Sequence, residues 1–168
     1  MKAKLIVEGR EFSIEINDPK LEKLLKPQKK TGYERVENGE TVFYTGVLGD
    51  VCRLQDTRGN VPNDAFIVGN YYSDQIIAEN NTRAEILMRQ LRRFAVEHRE
   101  SEIDWKIPTF VKYTIKYDHN RENIKVDNLR YIQLFGTVWF DSEEAANLAI
   151  ETFRDELIWY FTEYKDSL

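Results

Sequence analysis

The chain has 168 residues, 42% apolar and 12% aromatic, enough to bury a core as one domain or two closely packed halves. Its net charge of −5, with 32% charged residues of both signs, disfavours general coating of nucleic acid, which needs an excess of Lys and Arg. No run of about eighteen apolar residues occurs, so no membrane helix is expected, and the single Cys52 excludes an internal disulfide and fits a reducing cytoplasm.

The N-terminal apolar stretch is too short for a signal peptide. Ala3 to Val7 and Glu11 to Ile16 read as a hairpin around residues 8–10, with Phe12, Ile14 and Ile16 alternating with polar residues. Asp18 and Pro19 suit a helix start, Leu21, Leu24 and Leu25 form a short apolar stripe, and Pro27 ends it. Residues 1–32 thus form an N-terminal hairpin and short helix. Tyr33 to Val36 and Glu40 to Thr45 flank Asn38 and Gly39, a strong hairpin signal. Val51 to Gln55 follows as a strand, Asp56 to Asp64 as a polar loop, and Ala65 to Val68 as a short further strand.

A long helix starts near Ser73 or Asp74. Ile77, Ala84, Leu87, Leu91, Phe94, Ala95 and His98 recur on one side at helical spacing. Arg89, Arg92, Arg93 and Arg99 recur on the other, with Glu85 among them. Ser101 to Pro108 links this unit, residues 33–100, to a second unit, residues 101–168. There Val111, Tyr113, Ile115 and Tyr117 alternate with polar residues, and Asn123 to Val126 pairs back. Tyr131 to Phe140 reads as the longest strand, interrupted by Gly136. Asp141 to Glu144 starts a second long helix with carboxylates at its positive dipole end. Its core side holds Ala146, Ala149, Ile150, Phe153, Leu157, Tyr160, Phe161 and Tyr164.

Residues 69–80 and 136–147 align without a gap. Gly69/Gly136, Tyr72/Trp139, Asp74/Asp141, Ala78/Ala145 and Asn80/Asn147 coincide or correspond. Self-similarity at a fixed offset speaks about architecture. It predicts two βββα units and an α+β fold: one antiparallel sheet from the N-terminal hairpin and two meanders, with two long amphipathic helices packed on it.

Catalytic and metal chemistry find little support. One Cys and two His residues, His98 and His119, cannot make a Cys/His zinc site. Asp118 to Leu129 begins like a calcium loop but lacks Gly at its sixth position and Glu at its twelfth, so it reads as a polar hairpin turn. Cys52 lies mid-strand and reads as packing. No P-loop, Gly-x-Gly-x-x-Gly or Gly-x-Ser-x-Gly frame occurs. Asp104 beside Trp105 reads as a turn in the linker. No enzyme activity, cofactor or metal is expected.

Two surface features remain. The arginines Arg89, Arg92, Arg93 and Arg99 project together and suit carboxylate or phosphate forks; the plain alternative is a solvated face with Glu85 and Arg89 paired. Leu148 and Trp159 fall off the core stripe of the second helix on one angular line. They suit a partner or homodimer surface with a Trp anchor, or a helix covered on both sides.

At the repeated junction the chain resembles small uncharacterised phage and prophage proteins of Gram-positive bacteria, in which a short β-meander leads through Gly-Asn-Tyr/Phe-Phe-x-Ser/Thr-x-Glu-x-Ala into a helix. Gly69 to Ser73 and, more closely, Val138 to Ala145 carry the likeness, which spans roughly residues 33–164. Gln75 and Ile76 depart from the pattern. The resemblance implies a cytoplasmic mobile-element accessory protein acting on a bacterial host protein or protein complex, as anti-CRISPR proteins do. The alternative is a nucleic-acid-associated accessory protein using the arginine face.

Overall fold

The computed structural model describes residues 2–7, 10–15, 30–107 and 109–167. The chain divides into two units, residues 1–31 and 32–168. In the first, β1 (Lys2–Val7) and β2 (Arg10–Glu15) pair antiparallel, with Lys2 opposite Glu15 and Val7 opposite Arg10. The hairpin expected from the sequence forms. The short helix expected between Asp18 and Pro27 lies outside the described residues.

The second unit runs β3 (Thr41–Thr45), β4 (Val51–Gln55), α1 (Asn60–Ile67), α2 (Gln75–Glu97), β5 (Lys112–Asp118), β6 (Asn123–Leu129), α3 (Glu143–Thr152) and α4 (Arg154–Thr162). The chain is α+β, as expected. Among the described residues the strands do not join into the single sheet expected. β1–β2, β3–β4 and β5–β6 are three separate two-stranded antiparallel sheets.

Beyond the hairpins, third-strand pairing shrinks to two isolated bridges, Phe43 with Tyr72 and Tyr113 with Phe140. This explains the failure of the expected strand Tyr131 to Phe140. β5 gives one edge to β6 and, on the other, bridges only to Phe140. Residues 131–136 therefore stay irregular and exposed. Tyr33 to Val36 is not a strand either. The amide of Val36 goes to the Tyr71 hydroxyl at 3.1 Å, and β3 pairs forward with β4. Ala65 to Val68 belongs to the end of a helix, because α1 starts four residues after Asp56 and holds Pro62 in its first turn, where proline is tolerated.

The 23-residue α2 is the axis of the unit. The Asp74 carboxylate accepts the Ile77 amide at 3.0 Å and caps its N-terminus. Two cores form along it. Near its start, Ile77 and Ala78 pack with Tyr72 and with Phe43 and Val51 of the β3–β4 hairpin. Further on, Leu87, Leu91, Phe94 and Ala95 pack with Phe140, Ile150 and Leu157. Ala145, Ala146 and Ala149, all buried, let α3 approach closely. Gly32 is needed where it stands: its φ is +92°, and a Cβ there would meet the Ile77 side chain at 2.8 Å.

The strand-to-helix junction recurs, with a shift. Gly69 and Gly136 both hold φ +75°. After them the second copy gains one residue, so the bridging residues are Tyr72 and Phe140, and the caps are Asp74 and Ser142. Ala78 thus corresponds to Ala146, both fully buried, and not to Ala145 as the gapless alignment has it. Elsewhere the halves differ: α1 has no helical counterpart in the second, and the second long helix is broken.

The break falls at Phe153, whose φ of −112° and ψ of +23° separate α3 from α4. The Thr152 hydroxyl donates back to the Leu148 carbonyl at 2.7 Å, a bond that bends helices. The Phe153 ring meets Phe94 edge-on at 5.5 Å.

Candidate interaction groove

One side of α2 borders a groove whose other wall is built by α4 and by residues 133–139. It consists of three adjoining recesses that share Arg92. The first gathers Asn81, Glu85, Arg89 and Arg92 of α2 with Tyr160 and Tyr164. The second places Arg92 beside residues 133–137, including Leu134 and Phe135. The third joins Arg92, Val96 and Arg99 to Ile103, Trp105 and Trp139. Positions 81, 85, 88/89, 92 and 96 recur every three or four residues, so one stripe of α2 faces the groove, and Arg99 continues it just past the end of the helix.

The chain carries −5 overall, yet the groove carries three guanidinium groups and one carboxylate, Glu85. Its aromatic groups are fixed at both ends. Tyr160 and Tyr164 stack with centroids 5.3 Å apart and ring planes 9° apart. The Tyr164 hydroxyl donates to the Asn81 side-chain oxygen at 3.0 Å. Burial pushes its pKa up to about 12, with Tyr33 and Asp166 adding to the shift, so it remains a neutral donor. At the other end Trp105 and Trp139 meet edge-on at 5.1 Å. The Trp139 indole N–H is buried with no acceptor among the described residues. Beneath them lies the fully buried Lys112. Its Nζ donates to the carbonyls of Ile107 and Arg130 at 3.3 and 3.2 Å and sits 5.0 Å from the Trp105 ring centroid. Between the ends Phe135 is fully exposed.

The four arginines grouped by the sequence separate. Arg89, Arg92 and Arg99 line the groove. Arg93 points to solvent and meets Glu97 one turn on at 3.5 Å, an exposed pair worth little. His98, expected on the core side, is exposed; its ring stacks on Phe94 at 3.8 Å.

Leu148 and Trp159 do not share one exposed line, and Trp159 follows the alternative of a covered position. The break at Phe153 puts the two residues on different helices, so the angular line drawn on a continuous helix does not exist. Leu148 is exposed on α3. Trp159 is 8% exposed, covered by the Arg83 guanidinium at 4.0 Å and by Tyr164. Arg83 in turn holds Glu156 through two hydrogen bonds of 2.7 and 2.9 Å, joining α2 to α4.

The sequence reading missed the aromatic half of the groove. Helical spacing places Tyr160 and Tyr164 on the core stripe, and composition places residues 131–136 in a strand. The signal present was the density of large apolar residues at 131, 132, 134 and 135.

The other motifs resolve locally. Asp118 accepts the amides of Asn120 and Arg121 and pairs with Lys125 at 2.6 Å, so the calcium-like stretch is a hairpin turn with its carboxylate engaged. Asp104 accepts the Lys106 amide at 2.8 Å, a local turn. The Cys52 thiol donates to Asp50 at 3.3 Å. That bond, followed by burial, raises its pKa and keeps the thiolate scarce at neutral pH. Among the described residues no three His, Cys, Asp or Glu side chains come together to hold a metal ion, and no helix is long and apolar enough to cross a membrane.

Comparison with protein-family models, curated proteins and solved structures finds no match to this chain.

Proposed function

We propose that this chain is a non-catalytic interaction protein that docks an acidic surface of a bacterial host protein or protein complex along the α2 groove. One observation carries the reading. In an acidic chain, Arg89, Arg92 and Arg99 gather with Tyr160, Tyr164, Phe135 and Trp105 in a single groove. Arginine and aromatic side chains are the types that dominate interface hot spots, and a guanidinium takes a carboxylate through two parallel bonds. The resemblance to phage and prophage proteins supports a mobile-element accessory role, with inhibition of a host defence system, as by anti-CRISPR proteins, as the class of action.

A second reading keeps one specific observation. Tyr160 and Tyr164 present stacked rings beside Arg89, an arrangement that suits single-stranded nucleic acid. Capture from nuclease-treated lysate of an infected Gram-positive host separates the two. A protein retained after nuclease treatment, with a salt dependence of only a few contacts, supports the first reading. A shift of single- or double-stranded DNA or RNA in low-salt gels, falling steeply with added salt, replaces it with the second.

A further inference from the structure

We propose that an apolar pocket beside this groove binds one neutral, ring-sized apolar group. The pocket is partly open to solvent and offers about 170 Å³ between α2, β5 and α4, with Leu87, Leu91, Ile115, Phe140, Leu157 and Phe161 among its walls. Its mouth is formed by residues 136–138 of the irregular segment, where Gly136 is exposed and Thr137 and Val138 are half-buried. Gly136 has open space around it: a Cβ built there meets nothing within 4 Å.

Size and chemistry define the occupant. A partly open, mostly apolar recess with a few polar groups is the usual form of a small-ligand site. An apolar cavity of about 150 Å³ stays dry and takes one benzene ring. No ionisable Asp, Glu, Lys, Arg or His side chain lines the pocket, which disfavours a charged ligand that would lose its hydration unpaired. Thr114, Thr137 and Tyr160 contribute hydroxyls, so a ring bearing one hydrogen-bonding atom, such as indole or a phenol, is admitted. The ring can belong to a free small molecule or to an aromatic side chain of a partner. The inference does not depend on the acidic-partner reading.

The test uses the full chain, with binding followed by methyl NMR shifts and thermal melts. Toluene and indole are expected to give saturable shifts at Leu and Ile methyls of the pocket, with affinities roughly millimolar or tighter. Benzoate, of like size but charged, is expected to bind at least tenfold more weakly. Leu157→Phe fills the pocket from α4 and Thr137→Trp obstructs its mouth from an irregular, half-buried position. Each is expected to weaken toluene binding at least tenfold, and Thr137→Trp to do so without lowering the melting temperature. N-acetylphenylalanine amide identifies the source. Binding comparable to toluene assigns the pocket to a partner's side chain, whereas exclusion of the amide with retention of toluene and indole assigns it to a free small molecule. Absence of saturable shifts with both toluene and indole, or undiminished toluene binding in a folded Thr137→Trp variant, overturns the proposal.

Discussion

Asp56 shows how one residue can hold a loop-rich half together. Its side chain is fully buried and its two oxygens accept five hydrogen bonds: two from the Arg35 guanidinium at 2.6 and 2.9 Å, two from Arg58 and one from Tyr71 at 2.8 Å. Arg35 is further held by Asn63 and lies over the Phe66 ring. Every partner is far away in sequence except Arg58, so no local pattern could announce the network. The Arg35 bonds, opposed by burial and helped by Arg58 and Tyr71, hold the carboxyl well below the usual carboxylate range. The folded state therefore binds this proton less readily than the unfolded chain. The stabilisation is complete above the unfolded pKa of about 4 and is lost as pH falls through that value toward the folded one. Asp118, Asp127 and Glu156 are lowered by Lys125, Lys116 and Arg83 respectively, and add with the same sign. Asp56→Asn is expected to lower the melting temperature by about 10 °C at neutral pH, because it strips the half-buried Arg35 guanidinium of its counter-charge and breaks up a fully buried hydrogen-bond hub. Its melting temperature should also fall less steeply than wild type between pH 5 and pH 2. Parallel acid profiles for the two proteins would contradict this account. Trp159 belongs to the same scale. With its ring buried under Arg83, Trp159→Ala is expected to cost about 3–5 kcal/mol in urea melts, whereas the exposed Glu151→Ala costs less than about 0.5 kcal/mol.

At the level of elements, the two capped helix starts separate the shifted alignment from the gapless one. Asp74 and Ser142 each accept the amide three residues on, while Asp141 instead accepts the amides of Glu100 and Ser101 after α2. Asp74→Ala and Ser142→Ala should each cost about 1 kcal/mol, and Asp74→Ser and Ser142→Asp should keep most of that stability. A Ser142→Ala variant as stable as wild type would remove the shift. The elements readable in the sequence were those with long, consistent periodicity. α2 combined an Asp cap with apolar positions from Ile77 to Ala95, and β5 formed opposite β6, although its buried positions are the polar Lys112 and Thr114 while Tyr113, Ile115 and Tyr117 are half-buried. Short apolar runs misled. Ala65 to Val68 cannot be told from a helix end by period alone, and Tyr131 to Phe140 had strand composition without a strand partner. The break at Phe153 rests on a back-bonded Thr152 and a tertiary contact with Phe94, neither of which alters the helical spacing that predicted one helix.

Across the whole second unit, the irregular segment that failed to join a sheet is also what shapes the groove. Because residues 131–136 stay unpaired, Leu134 and Phe135 stand beside Arg92 instead of filling a sheet, and residues 136–138 form the mouth of the apolar pocket. The sequence displayed part of the arginine stripe of this site, since helical spacing places Arg89 and Arg92 near one another; Arg99 follows just beyond the helix end. It could not separate Arg93 from them or supply Tyr160, Tyr164 and Trp105 opposite, because those arrive through long-range packing. The central claim is that this groove is the docking surface, and paired variants test it most directly. With a partner captured from the host, binding of the wild type, Arg89→Ala/Arg92→Ala and Arg93→Ala is to be measured by calorimetry at one fixed salt concentration. The double variant is expected to weaken binding at least tenfold, with Arg93→Ala within about twofold of wild type. Equal affinity of the double variant and wild type, or an equal loss in Arg93→Ala, would contradict it.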